Sequence, residues 1–233
     1  MTYNEAYEQS INDKETFWKE QAQAIDWYEF PEKILSQNDK GFYNWYKGGK
    51  LNTAYLALDY HVENGRADQT AIIYDSPVTN TKEKISYRAL RDRVAKFAGV
   101  LRNLGVEKGD RVVIYMPMIP QTAVTMLACA RIGAIHSVVF GGFAAHELAI
   151  RIDDATPKVI LAASCGKEIN KIIPYKPIID AAIEEATHQV EAVVLYQRDL
   201  LTAEMQAGRD HDWNEALTNA KPVDCVPMNA TDP

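Results

Sequence analysis

At 233 residues, with 47% hydrophobic and 24% charged side chains, the chain is long enough to bury a sizeable core and has the composition of an ordinary soluble globular protein. Its formal net charge of −7 gives no general basic field for nucleic acid or an anionic membrane, so an anionic ligand would need a local cluster of donors. The longest apolar stretches, such as 123–130, fall well short of the roughly 20 residues that cross a bilayer, and the opening "MTYNEAYEQSINDKETFWKE" has no apolar signal region. Three cysteines without C-x-x-C spacing favour neither a disulfide framework nor a zinc site, and the cytoplasm is the expected location.

Residues 1–60 are crowded with aromatics, among them Phe17, Trp18, Trp27, Trp45 and Tyr46, at irregular spacings broken by "QNDKG" and "KGGK". The segment is too small to bury these rings alone, so it is expected to be a cap of short helices and loops laid over a larger body. Asn52 is placed to N-cap a helix through "TAYLALDYHVENG", with Gly65 as its stop signal.

From residue 70 strands and helices alternate. "TAIIYD" reads as a strand and "SPVTNTKEK" as a turn. Ser86 is a candidate N-cap for a helix whose apolar positions Leu90, Val94, Phe97, Leu101 and Leu104 recur every three or four residues, with Gly105 beyond its end. "DRVVIYM" is the next strand, followed after Pro120 by the helix "TAVTMLACARIG"; then come the strand "IHSVVF", a helix over 144–154, the strand "KVILAA", the helix "PYKPIIDAAIEEA" and the strand "EAVVLYQ". Three strands begin near 112, 135 and 158, a spacing that suits βαβ crossovers and is too long for hairpins. Their nearly continuous apolar character predicts a mostly parallel sheet with helices on both faces, an α/β fold preceded by the mainly helical cap.

Ligands of open α/β sheets bind beyond the carboxyl ends of the strands, where Phe140, Gly141, Gly142 and Phe143 fall. Bare backbone there admits a close ligand, and the amides of the following helix face outward; a plain tight turn explains the same glycines. The five histidines lack metal-ligand spacing, Cys129 lies in an apolar helix, and "GKEINK" lacks the paired glycines and Lys-Ser/Thr ending of a phosphate-binding loop. G-x-S-x-G, H-E-x-x-H and G-x-G-x-x-G are all missing, so motif inventory alone finds no complete catalytic apparatus.

The stretches "SINDKETFWKEQAQAIDWY", "WYKGGKLNTAYLALDYHV", "YMPMIPQTAVTMLACARIGAIHSVVFGGF" and "SCGKEINKIIPYKPIIDAAI" resemble, in order, the amino-terminal part of short-chain AMP-forming acyl-CoA synthetases, the propionate-CoA ligase and acetyl-CoA synthetase family. "SCGKE" with "IIPYKPIIDAAI" is more similar to the propionate enzymes. The resemblance implies two half-reactions: a short-chain carboxylate attacks the α-phosphate of Mg2+-bound ATP to give an acyl-adenylate, and the thiol of CoA then attacks that adenylate. It further implies a cap over 1–60 and the first part of the AMP-binding domain over 61–233.

By the same resemblance, the phosphate loop, the adenine and ribose contacts, the acid pocket, the magnesium carboxylate and the carboxyl-terminal domain with its catalytic lysine belong downstream of Pro233. No catalytic or metal-ligating residue is therefore assigned, and the chain alone is expected to be an inactive fragment whose partners are CoA, a short carboxylic acid and its own missing part. Exposed apolar surface left by that missing part would favour self-association. Residues matching the family's CoA contacts are Phe140, Gly141 and Gly142, where the pantetheine arm passes, and Glu168 and Lys171, where acetate-activating relatives carry arginines near the nucleotide phosphates. Glu168 departs from that pattern in sign, Lys171 keeps a cation, and Arg151 is read as structural. The alternative to a ligase portion is a non-catalytic α/β module that binds CoA or a partner.

Overall fold

Thr2 opens the chain with a reciprocal cap: its hydroxyl accepts from the Glu5 amide while the Glu5 carboxylate accepts from its own. A computed structural model describes residues 1–142 and 144–233; Phe143, at the end of the Phe-Gly-Gly-Phe stretch, lies outside them. The cap contains α1 (Tyr3–Asn12) and α2 (Lys14–Ala22), then an antiparallel hairpin of β1 (Lys33–Gln37) and β2 (Tyr43–Lys47), and the short β3 (Lys50–Leu51). The hairpin was not foreseen, because "QNDKG" and "KGGK" read as interruptions when they are the turns that end its strands. The edge-to-face contact of Trp18 on Trp45 holds α2 and the hairpin together, and Trp27 on Phe30 folds the segment between them.

Asn52 caps the next helical segment as expected, its Oδ1 accepting from the amides of Ala54 and Tyr55 at 2.9 and 3.1 Å. The segment contains wide turns over Tyr55–Asp59 and Val62–Arg66 and ends at Gly65, whose φ is +78°. The Asn52 amide also donates to the carbonyls of Ala130 and Val226, and Asp59 takes a two-pronged ion pair from Arg131, so this segment is tied to the 130–131 and 226 backbone by part-buried polar bonds.

β4 (Thr70–Ser76) and β5 (Thr81–Ser86) form a second hairpin, which corrects the reading of 76–84 as turn throughout: Lys82 and Lys84 belong to a strand exposed enough to tolerate charge. Ser86 caps α3 (Tyr87–Asn103), its hydroxyl accepting from the Ala89 amide. There follow β6 (Arg111–Tyr115), α4 (Pro120–Ile132), β7 (Ile135–Val138), α5 (Ala145–Ala155), β8 (Val159–Ala163), a hairpin of β9 (Cys165–Glu168) and β10 (Lys171–Pro174), α6 (Lys176–Glu185), β11 (Ala192–Tyr196), β12 (Asp210–Asp212), α7 (Trp213–Thr218) and β13 (Met228–Asn229).

Five of these strands make one wholly parallel sheet in the order β12-β11-β8-β6-β7. Side chains alternate across it: Val112, Ile114, Val159, Leu161 and Val194 enter a core shared with α3 and α4, while Val113, Tyr115, Ile160, Ala162 and Val193 enter a second core shared with α5 and α6. The sheet does not close with β11, as expected from sequence; β12 adds one short strand at its edge. From β6 the chain leaves to β7 on one side, and from β8 it leaves to β11 on the other. Their carboxyl ends are thus the topological switch point of the sheet. No helix among the described residues is long and apolar enough to cross a membrane.

Candidate functional site

The Phe140-Gly141-Gly142 turn follows β7 and sits beside the carboxyl end of β6. Its polypeptide is held from within: Tyr115, the last residue of β6 and fully buried, donates its hydroxyl to the Gly141 carbonyl at 3.2 Å. Neither Gly141 nor Gly142 has a positive φ, so conformational freedom is not what requires them. The requirement at Gly141 is steric. A methyl group there would overlap the hydroxyl oxygen of Tyr175 and come within 3.0 Å of its ring carbon Cζ.

Tyr175 cannot easily retreat, because it is 5% exposed and its ring lies 4.8 Å from that of Tyr115. On its other side, Gly166 of β9 would likewise place a methyl 2.5 Å from the same hydroxyl. At Gly142 the three nearest atoms a methyl would meet belong to the ring of Phe140, which is 72% exposed.

The β9–β10 hairpin turns through Ile169 and Asn170 and pairs Cys165 with Pro174, Gly166 with Ile173, and Glu168 with Lys171. Gly166 and Glu168 are two residues apart, so Glu168 and its partner Lys171 lie on the hairpin face that Gly166 turns toward Tyr175, about 7 Å further along. Gly141 of the turn and Gly166 of the hairpin thus both pack on Tyr175, with Glu168 and Lys171 at the hairpin's tip. Glu168 and Lys171 are both exposed and directly opposite, so the carboxylate partly offsets the cation. The predicted Arg151 lies in the middle of α5 and is exposed.

Several residues that build this surface carry no pattern of their own. Ser164 accepts at its carbonyl from the Tyr175 amide and at its hydroxyl from the Arg198 amide, while the Arg198 guanidinium donates to the Cys165 carbonyl, each at 2.9–3.0 Å. Directly after Tyr175, Lys176 is buried and paired to Asp180 and Asp210, and Arg209 pairs with the same two carboxylates. Burial works against the Asp210 carboxylate, yet Arg209, the Gln206 amide and Lys176 together hold it below the usual carboxylate range. Burial pushes the Tyr115 phenol up to about 12 and raises that of Tyr175, so both are neutral donors at pH 7. Among the described residues of this assembly, no nucleophile lies beside a base. A separate groove of about 360 Å³ lies between Arg93, Lys96, Tyr196 and Trp213.

The sequence profile of AMP-binding enzymes matches residues 58–233. The chain belongs to the AMP-binding enzyme family. Residues 3–57, upstream of that AMP-binding match, fit the profile described as the acetyl-coenzyme A synthetase N-terminus. Among its relatives, the chain is 47% identical over 232 residues to mouse mitochondrial acyl-CoA synthetase short-chain family member 3 (99% of this chain, 34% of that protein). To the propionate-CoA ligase of Escherichia coli it is 45% identical over 213 residues (91% of this chain, 34% of that protein). The structure is similar to the acetoacetyl-CoA synthetase of Streptomyces lividans, with a TM-score of 0.87 and 25% identity over 98% of this chain and 35% of that one. The chain thus spans about a third of the length of these relatives.

Proposed function

We propose that this chain is the amino-terminal portion of an AMP-forming short-chain acyl-CoA synthetase acting on propionate or acetate, and that its own part in the reaction is to form one wall of the channel for CoA. In this reading residues 1–60 are the cap and 61–233 the first part of the adenylate-forming domain. The observation that carries it is the coincidence of family and geometry: the turn and the hairpin that hold the predicted contacts both pack on Tyr175, at the switch point of a parallel sheet.

The chemistry supplied by the whole protein is activation of a carboxylate by ATP and its transfer to the CoA thiol. What these residues supply is shape and charge. The turn at Gly141 and Gly142 presents backbone packed against Tyr175 and Phe140, and Lys171 offers a point charge to a phosphate. Glu168 weakens that charge and is the one site residue whose ionised form opposes an anion. Among the described residues, no group of three or more His, Cys, Asp or Glu side chains could hold a metal ion; Mg2+ enters this proposal with the ATP of the whole protein. Cytoplasmic location is part of the proposal, the mouse relative being mitochondrial by its name. So is self-association of the isolated chain, for which the exposed Tyr3, Tyr7 and Ile11 of α1 are candidates and light scattering across a concentration series is the test.

A chimera tests the main reading. Joining this chain at Pro233 to the remaining two thirds of the E. coli relative is expected to give ATP- and CoA-dependent thioester formation from propionate. A folded chimera that forms the acyl-adenylate but no thioester contradicts the CoA role, and one that forms neither contradicts the ligase reading altogether.

A further inference from the structure

The groove beside Trp213 lies on the other side of the sheet from the glycine corner: Trp213 and Val124 belong to the core shared with α3 and α4, Tyr175 to the core shared with α5 and α6. Its floor is preformed. Trp213, itself 5% exposed, stacks on the fully buried Phe97 at 4.0 Å and meets Tyr196 edge to face at 5.7 Å, so it cannot swing in to close the space. Pro120 and Val124 of α4 and Leu217 of α7 complete an apolar bed. The volume of about 360 Å³ falls within the range of small-molecule sites.

The rim carries cations in excess. Arg93 and Lys96 stand three residues apart on α3, hence on one helix face, and both line the groove. Arg93 is offset by Glu83 at 2.9 Å, whereas among the described residues no carboxylate pairs with Lys96. The side-chain polar groups of Tyr196, Gln121 and Asn214, which line the groove too, likewise bond nothing among the described residues. Burial raises the Tyr196 phenol, so at pH 7 it is a neutral donor that does not repel an anion. An apolar bed with one uncompensated cation at its rim is complementary to an amphipathic anion. We infer that, independently of the CoA assignment, this groove is a second ligand site that takes a small carboxylic acid, its apolar body on Trp213 and Leu217 and its carboxylate at Lys96. Propionate has the charge without the body, so the site is distinct from that of the proposed substrate.

Three probes titrated into the 233-residue chain test this, with affinity read from NMR shifts and folding from thermal melting. Phenylpropionate has both body and charge, phenylpropanol keeps the body, and propionate keeps the charge. Phenylpropionate is expected to shift resonances of Lys96, Trp213 and Leu217 and to bind about tenfold tighter than propionate, the worth of a buried ring. It should bind about threefold tighter than phenylpropanol, the worth of one exposed charge pair, and that margin should shrink in high salt. Lys96 is exposed, so Lys96→Gln should melt like the wild type; it should abolish the margin and leave the affinity for phenylpropanol unchanged. Equal affinity for the acid and either control, a margin that survives Lys96→Gln, or shifts confined to residues outside the groove would overturn the inference. Groove resonances that move with protein concentration alone would assign the space to a second copy of the chain and overturn it as well. None of these outcomes bears on the CoA wall.

Discussion

The two ends of the wall are built by different rules. At the glycine corner every group is fixed by another: Tyr115 bonds Gly141, Tyr175 fills the space two absent side chains would need, and the Lys176–Asp210 network clamps the start of α6 behind it. At the hairpin tip the charged pair Glu168 and Lys171 is exposed and supports nothing else. A corner that is over-determined resists substitution for reasons of packing, even before a ligand is considered. An exposed tip can change the sign of a residue at little cost to folding.

Four experiments can break or sharpen that contrast. The largest effect is expected behind the corner: Asp210→Asn leaves Lys176 and Arg209 buried with only Asp180, and should cost about 3 kcal/mol of unfolding free energy in a denaturant titration. The same carboxylate gives a pH signature. Its folded-state value lies below the ordinary one, so the stability it lends is present above roughly pH 4 and is lost as pH falls further. Asp210→Asn should flatten that acid limb of the stability profile.

Next in size, Gly141→Ala should destabilise by about 2 kcal/mol through overpacking against Tyr175. Much of that loss should disappear in the Tyr175→Phe background, where the clashing oxygen is gone, so the double-mutant cycle should return a coupling of about 1 kcal/mol. Additive effects would mean that Tyr175 is not what excludes a side chain at Gly141. Tyr115→Phe should cost about 1 kcal/mol for the lost bond to the Gly141 carbonyl. At the tip, Glu168→Ala should change stability by no more than about 0.5 kcal/mol. Its CoA affinity should nevertheless rise, with a gain that shrinks at high salt.

The same contrast explains what could be read from the sequence. The parallel sheet was legible because Val112–Ile114 and Val159–Ala163 are apolar on both faces, and the caps at Asn52 and Ser86 follow from local hydrogen bonding. The glycine corner was visible as an anomaly, and its family resemblance gave it a use. Its packing reason was not visible, since Tyr175 lies 34 residues after Gly141 in a stretch that reads simply as the start of a helix. The 165–174 hairpin also escaped, because its turn is Ile169-Asn170, without the glycine that usually marks one. Buried ion pairs such as Lys176–Asp210 join residues far apart in sequence and have no local signature at all.

The central claim is that the switch-point surface between Phe140 and Lys171 receives CoA. Hydrogen–deuterium exchange of the chain with and without CoA tests it directly. Added protection over 140–142 and 165–175 is the expected result; unchanged exchange there, or protection confined to the groove beside Trp213, would contradict it.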